Sequence, residues 1–94
     1  MQFEWDDEKS EATRQRRGFG FEEAAAVFLD PCRFTFPDNR FDYGEERWIT
    51  FGEIEGRLFA VAYTMRGDAI RIISARKANT GERKRYDEQK DIHT

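Results

Sequence analysis

The chain has 94 residues, which suffices for one domain with a thin hydrophobic core, and we interpret residues 1–94 as a single domain. Hydrophobic residues make up 38% and charged residues 37% of it, and nine Phe, three Tyr and two Trp supply much of the apolar area, which argues against disorder. The net charge of −3 conceals a segregation, because residues 38–55 carry six acids and two bases whereas residues 71–86 carry six bases and one acid. We therefore expect one basic face on an acidic protein.

The cellular compartment is predicted from three features that the sequence lacks: a second cysteine, a signal peptide and a long apolar run. Cys32 is the only cysteine, so no disulfide forms within the chain. The N-terminus lacks the basic start and apolar run of a signal peptide, and no apolar run approaches the length that spans a bilayer. We predict a cytoplasmic protein without a membrane partner.

The start of the chain predicts a short strand and a surface helix. Phe3 and Trp5 flank a glutamate in the alternating pattern of a brief strand. Asp6 is placed as the N-cap of a helix that runs to about Arg17, with acids in its first turn. Because Ala12 is the only apolar residue of this helix, we expect the helix to lie on the surface.

An amphipathic second helix is predicted from Phe21 to Leu29. Its apolar residues recur at the i, i+3, i+4 and i+7 spacing that forms one helical face. We expect it to end at Asp30-Pro31, because proline cannot continue the hydrogen-bond ladder. Phe34 and Phe36 then alternate with polar neighbours and predict a short strand.

From residue 47 to residue 74 the hydrophobic period becomes two, which predicts three successive antiparallel strands. They are Trp48 to Ile54, Leu58 to Met65 and Ala69 to Ser74, with reversals at Gly56 and Arg66-Gly67-Asp68. The second of these strands has one face of large residues and one of small residues.

The small face of that strand consists of Ala60 and Ala62, and a helix could approach closely there. We expect the Phe21 to Leu29 helix to pack on it. A last helix is predicted from about Thr80 to Lys90, with Tyr86 as its only large apolar residue. The predicted fold class is therefore α+β: a small, mainly antiparallel sheet with two N-terminal helices packed on it and a C-terminal helix.

The most informative stretch runs from Asp68 to Tyr86, because it passes from a buried strand into a basic tail. Its cations suit a polyanion, since each phosphate contact releases a condensed counterion, and a tyrosine can stack on an unpaired base. A solvated helix with ordinary surface charge is the alternative. The cations are Arg71, Arg76, Lys77, Arg83, Lys84 and Arg85.

A catalytic interpretation of this stretch rests on Glu82 and Tyr86, which are four residues apart and share a helical face. Glu82 could act as general base and Tyr86 as acid, while Arg71 and Arg76 stabilise charge on a pentacovalent phosphate. Such a set would allow metal-free attack of a ribose 2′-hydroxyl on its own phosphate. The alternative is that Glu82 only forms a capping box with Asn79 and that Tyr86 is only an anchor.

The sequence offers little for a metal or a cofactor, and we predict neither. His93 is the only histidine and Cys32 the only cysteine, so the usual zinc ligands are insufficient. The acids between Asp38 and Glu55 are too irregular for a calcium loop.

The chain resembles the BrnT toxins, the ribonuclease half of a bacterial type II toxin–antitoxin pair, whose fold is similar to that of RelE. The resemblance covers nearly the whole chain and is strongest in the run from Ile70 to Ala78. The matching parts are Phe3-Glu4-Trp5-Asp6, Lys9, Gly18, Phe21-Glu22-Glu23-Ala24, Phe28, Asp30-Pro31, Glu46-Arg47-Trp48, Gly52, Val61-Ala62-Tyr63-Thr64, Ile70-Arg71-Ile72-Ile73-Ser74-Ala75-Arg76-Lys77-Ala78, Glu82-Arg83 and Tyr86.

The resemblance implies a cytoplasmic, metal-independent endoribonuclease that cleaves RNA and slows translation. It also implies a protein partner, the antitoxin BrnA, which has a ribbon-helix-helix DNA-binding domain. Operator DNA would then be contacted only through the antitoxin. The resemblance further implies that an antitoxin dimer holds two toxins. The catalytic candidates are Arg71, Arg76, Tyr86 and Glu82, and the RNA-binding candidates are Lys9, Arg17, Arg47, Lys77 and Arg83.

One position departs from the family pattern. Where these toxins commonly have Asn-x-x-Lys-His-Gly, this chain has Thr13-Arg14-Gln15-Arg16-Arg17-Gly18. Arg17 keeps the positive charge but cannot carry protons near neutral pH. One alternative function is therefore a catalytically weakened or inactive module that binds RNA or the antitoxin. A second alternative is a domain that binds protein alone, which the weakly anchored helix from Thr80 to Lys90 would suit.

Overall fold

The structure, a computed structural model, describes residues 1–40 and 42–93. These residues form a five-stranded sheet, three α-helices and a 3₁₀ segment, which confirms the α+β class. The strands are β1 (Gln2–Glu4), β2 (Phe34–Pro37), β3 (Trp48–Ile54), β4 (Arg57–Arg66) and β5 (Ala69–Lys77). The helices are α1 (Asp7–Arg17), α2 (Phe21–Ala24) and α3 (Thr80–His93), and the 3₁₀ segment is Ala25–Leu29.

The sheet has the strand order β1-β5-β4-β3-β2. All neighbouring strands are antiparallel except β1 and β5, which are parallel, so the predicted mainly antiparallel sheet is confirmed. β1 pairs only with residues 69–71 of β5, and β5 continues to Lys77, three residues beyond its predicted end. Among residues 1–40 and 42–93, no strand therefore adjoins the outer edge of β5 beyond residue 71.

The second predicted helix is only partly α-helical. Its first turn, α2, is capped by the Glu23 carboxylate, which accepts a hydrogen bond from the Gly20 N–H at 3.0 Å and is held by Arg14 at 2.7 Å. The chain then tightens into the 3₁₀ segment and becomes extended at Asp30, the residue before the proline, as predicted.

The prediction for the packing face of this helix is wrong. α2 and the 3₁₀ segment pack with Phe59 and Val61, on the opposite face of β4 from Ala60 and Ala62. Gly52 pairs with Phe59 in the sheet. Because Gly52 has no side chain, Val27 packs directly against its backbone. The alanine face is instead covered by Tyr86 of α3, with aromatic residues of β2 and β3 beside it.

The surface helix α1 is attached by polar residues rather than by its alanine. Ser10 and Thr13 are buried, whereas Ala12 is exposed. The Ser10 hydroxyl accepts the Phe21 N–H at 2.9 Å, which satisfies one donor at the start of α2. This link orients α1 beside the open edge of β5.

The close contact between Val27 and Gly52 generates a stability prediction. A Cβ atom at residue 52 would lie 2.8 Å from the Val27 carbonyl oxygen, so we expect Gly52→Ala to lower the free energy of unfolding by about 1–3 kcal/mol. Urea denaturation measures the change. Gly81→Ala is the control, because a Cβ there meets only the Asn79 Oδ1 atom at 3.5 Å and should stabilise α3 by up to about 1 kcal/mol. Equal effects of the two substitutions would contradict the packing.

Candidate functional site

Three surface clefts follow β5 and share lining residues. The first, of about 210 Å³, is lined by Lys9, Arg47 and Arg71 among others. The second, of about 200 Å³, lies between α1 and β5 and also contains Lys9, together with Arg17. The third is small and lies on the sheet face.

The clefts form one continuous surface, because Lys9 and Ile73 line the first two and Ser74 lines the second and third. We call this surface the basic groove. Its cations are Lys9, Arg16, Arg17, Arg40, Arg47, Arg66, Arg71 and Arg76, and its acids are Asp6 and Glu45. The basic face predicted from charge segregation is therefore built mostly from residues outside the basic tail.

A β-bulge in β5 brings Arg71 and Arg76 to the same face of the sheet. Residues five apart on a regular strand point to opposite faces. Here Ala62 pairs with Ser74 while Tyr63 pairs with Ile72, which leaves Ile73 as an extra residue. Arg71 is consequently opposite Thr64 and Arg76 opposite Ala60, on one face, and Ile70, Ile72 and Ala75 enter the core on the other.

The cations of the first two clefts differ in how they are held. Arg71 pairs with Glu4 at 3.4 Å, and Arg47 pairs with Glu45 at 3.3 Å while its guanidinium lies 3.9 Å from the centre of the Tyr43 ring. In contrast, the side chains of Lys9, Arg16 and Arg17 form no hydrogen bond or ion pair with another described residue. This part of the groove therefore has positive charge available for an anion.

Arg76 and Glu82 form a bidentate pair, with both N–O distances at 2.8 Å. Glu82 also accepts the Asn79 N–H at 2.9 Å, and the Asn79 side chain accepts the Glu82 N–H at 2.8 Å, which confirms the capping box. The hydrogen bonds from Arg76 lower the pKa of Glu82. A carboxylate held in this way is a weakened proton acceptor.

Tyr86 is fully buried, and its hydroxyl donates to Asp30 at 2.6 Å and lies 3.3 Å from Glu53. Burial and the Asp30 carboxylate both raise the pKa of Tyr86. Burial would raise the pKa of Asp30 as well, but hydrogen bonds from the Glu53 N–H and from Tyr86 outweigh it, so that this pKa is lowered. In this arrangement the Tyr86 ring offers no face on which a base could stack.

The carboxylate of Glu53 joins α3 to the sheet a second time. Arg83 approaches it at 2.6 Å and Lys90 at 3.2 Å. Sequence reasoning missed Asp30 and Glu53, because neither has a spacing that indicates a partner in α3. The only available signal was that a helix with a single large apolar residue needs polar attachments.

Lys77 and Arg83 lie apart from the basic groove. They line another cleft, of about 350 Å³, between the β3–β4 turn and the start of α3. Arg83 is engaged there with Glu53, Asp87 and the Gly56 carbonyl. The predicted site residues are thus divided among the groove, the α3 junction and this cleft.

Within residues 1–40 and 42–93, no three His, Cys, Asp or Glu residues lie close enough together to hold a metal ion. No helix in the described part of the chain is both long and apolar enough to cross a membrane.

Comparison with known families decides the relationship. A protein-family model described as "Ribonuclease toxin, BrnT, of type II toxin-antitoxin system" matches residues 5–82. The chain belongs to this BrnT family. The match includes all eight cations of the basic groove and Glu82, whereas Tyr86 lies beyond its end. No match to a curated protein was found.

The buried hydroxyl of Tyr86 generates a prediction that separates anchoring from chemistry. Tyr86→Phe should lower the free energy of unfolding by about 1–2 kcal/mol, because the Asp30 carboxylate loses a hydrogen-bond donor, while RNA binding stays unchanged. Thermal unfolding and RNA titration measure the two effects. Tyr63→Phe is the matched control, since no hydrogen bond of its hydroxyl is present among the described residues. A loss of RNA cleavage without a loss of stability would instead place the Tyr86 hydroxyl in the chemistry.

Proposed function

We propose that this chain is the toxin of a type II toxin–antitoxin pair, and that it cleaves RNA bound along the basic groove and thereby inhibits translation. The observation that carries the proposal is the groove itself: eight cations and two acids line it, in a BrnT-family chain whose net charge is −3. A surface of this kind favours a polyanion over a neutral or cationic ligand.

The proposed chemistry needs no metal ion. The ribose 2′-oxygen attacks the adjacent phosphorus, the bond to the 5′-oxygen breaks, and the products are a 2′,3′-cyclic phosphate and a 5′-hydroxyl. The transition state gains negative charge on the phosphoryl oxygens, which guanidinium groups stabilise. Arg71 is our candidate for this contact, because it shares the first cleft with Lys9 and Arg47.

Arg76 contacts a different phosphate in this proposal. Arg76 follows Arg71 by five positions, but their partners Thr64 and Ala60 are four apart on β4, which corresponds to about 13 Å along a strand that rises about 3.3 Å per residue. Glu82 then orients Arg76, and Tyr86 holds α3 in place. Arginine does not exchange protons near neutral pH, and the other ionisable residues that line the first two clefts are Lys9, Asp6 and Glu45.

A second candidate function is a catalytically weakened module that binds RNA or the antitoxin. The observation that favours it is Arg17, which lines the groove where the family commonly has a histidine. No histidine lines the groove among the described residues. This function entails salt-dependent RNA binding without cleavage products.

The proposed partner is a BrnA-type antitoxin with a ribbon-helix-helix domain, in the cytoplasm, with two toxins held by an antitoxin dimer. Operator DNA would be contacted only through that antitoxin. The support is the family membership, since a type II toxin is neutralised by a protein.

Substitution of Lys9 tests the groove. Lys9→Ala should weaken RNA binding by about tenfold and slow cleavage, because it removes a cation that lines two clefts and has no side-chain partner in the described part of the chain. The assay uses an end-labelled RNA with EDTA present, resolved on a gel. Lys84→Ala is the matched control, an exposed lysine on α3 that likewise has no side-chain partner among the described residues. Equal activity of the two variants would rule out the groove, and cleavage only without EDTA would rule out the metal-free mechanism.

Substitution of Arg17 separates the two candidate functions. If the chain lacks a proton carrier, Arg17→His should raise the cleavage rate, with a pH dependence centred near the ordinary histidine pKa of about 6.5. Rates measured from pH 5.5 to 8 give the comparison with the parent chain. Gln15→His adds a histidine elsewhere on α1, outside the groove, as the control. Unchanged rates would mean that position 17 only contacts phosphate.

A further inference from the structure

The third cleft of the basic groove holds two arginines that approach each other over the sheet. Arg40 comes from the segment between β2 and β3, and Arg76 from β5. The residues beneath them are Ala60 and Ala62, which are buried and whose small side chains make room for the two arginines. Two guanidinium groups repel each other; Asp38 and Glu82 offset part of this repulsion, and an anion bound between the two arginines would offset more of it.

Arg40 is held in place by a buried carboxylate. The Asp38 side chain is only 2% exposed, and its two oxygens accept hydrogen bonds from the Arg40 Nε at 2.8 Å and Nη2 at 3.0 Å. These hydrogen bonds lower the pKa of Asp38. The Asp38 N–H donates to the Arg47 carbonyl at 2.8 Å, which ties the pair to the start of β3.

A buried carboxylate is costly, and the guanidinium it holds is itself 64% exposed. The pair therefore does little for the core. Its geometric effect is to fix an arginine side chain, which would otherwise sample many rotamers, above the sheet beside Arg76.

The N–H donors of Arg40 that have no acceptor among the described residues indicate a site for an anion. Asp38 accepts from two of the five N–H donors of the Arg40 guanidinium, and Tyr43 is a further side-chain hydrogen-bond partner, which leaves two donors. Arg76 is more fully used, because Glu82 and the Lys77 carbonyl accept from it. The exposed hydroxyl of Ser74 lines the same cleft and adds another donor.

We propose that Arg40, Ser74 and Arg76 bind one backbone phosphate of a single-stranded RNA, and that Asp38 is the positioning residue for Arg40. A phosphodiester suits this subsite, because its two non-bridging oxygens can each accept from one guanidinium. The proposal rests on the proposed function, since it extends the RNA path from the α1 clefts across Ser74 onto the sheet. This phosphate and the phosphate at Arg71 therefore bind at different positions along β5.

The test is a titration of a fluorescent 2′-O-methyl RNA, which cannot be cleaved by attack of a 2′-hydroxyl, at several salt concentrations. Arg40→Ala should raise the Kd by about tenfold and reduce the slope of log K against log salt by about 0.7, the value for one phosphate contact on a single strand. Arg33→Ala is the matched control. Arg33 is an exposed arginine outside the groove, 5.9 Å from the centre of the Phe28 ring, and its loss should leave both quantities unchanged.

Asp38→Asn separates positioning from overall charge. It makes the protein less negative, so a purely electrostatic effect would tighten RNA binding, whereas loss of Arg40 orientation should weaken it. Arg40→Lys should recover only part of the affinity, because an ammonium group keeps the charge but not the fork. Thermal unfolding of each variant identifies any substitution that acts through stability.

The outcomes distinguish this proposal from the one on which it rests. If Lys9→Ala weakens binding while Arg40→Ala behaves like Arg33→Ala, the subsite is overturned and the groove stands. If the parent chain binds no RNA, both proposals fail. If Arg40→Ala and Asp38→Asn weaken binding and Arg33→Ala does not, the subsite is supported.

Discussion

The extra residue at Ile73 of β5 determines how this sheet divides into a core face and a groove face. Without the bulge, Arg71 and Arg76 would point to opposite sides of the strand, and one of them would enter the core. With it, Ile72 and Ala75 both face the core although they are three residues apart. The groove can therefore extend along β5 only because the strand is irregular at its centre.

The two faces of the sheet are covered by different kinds of contact. α2 and the 3₁₀ segment cover one face with apolar side chains. The other face is only partly covered, by Tyr86 together with aromatic residues of β2 and β3. Hydrogen bonds and ion pairs from α3 to Asp30 and Glu53 hold α3 against this face. The remainder of this face stays open and forms part of the basic groove.

Most arginines of the groove have a carboxylate beside them, and this pairing gives the surface its character. Asp38 and Glu82 each hold a guanidinium by two hydrogen bonds, which use only part of its five N–H donors. Such donors are pre-organised, so an anion that binds them loses less conformational entropy to ordering. Lys9 and Arg17 are the opposite case, because their side chains have no partner among the described residues and contribute charge more than geometry.

The sequence by itself determined the elements, because hydrophobic period, the Asp6 cap, Pro31 and the Asn79–Glu82 capping box are local signals. It also identified the family, and it indicated most cations of the groove. It could not determine which face of β4 the helix covers, since that depends on Gly52 lying beside Phe59 across the sheet. The partners of Tyr86 and the approach of Arg40 to Arg76 were decided by tertiary structure alone, because each joins residues more than thirty positions apart whose pairing has no period to reveal it.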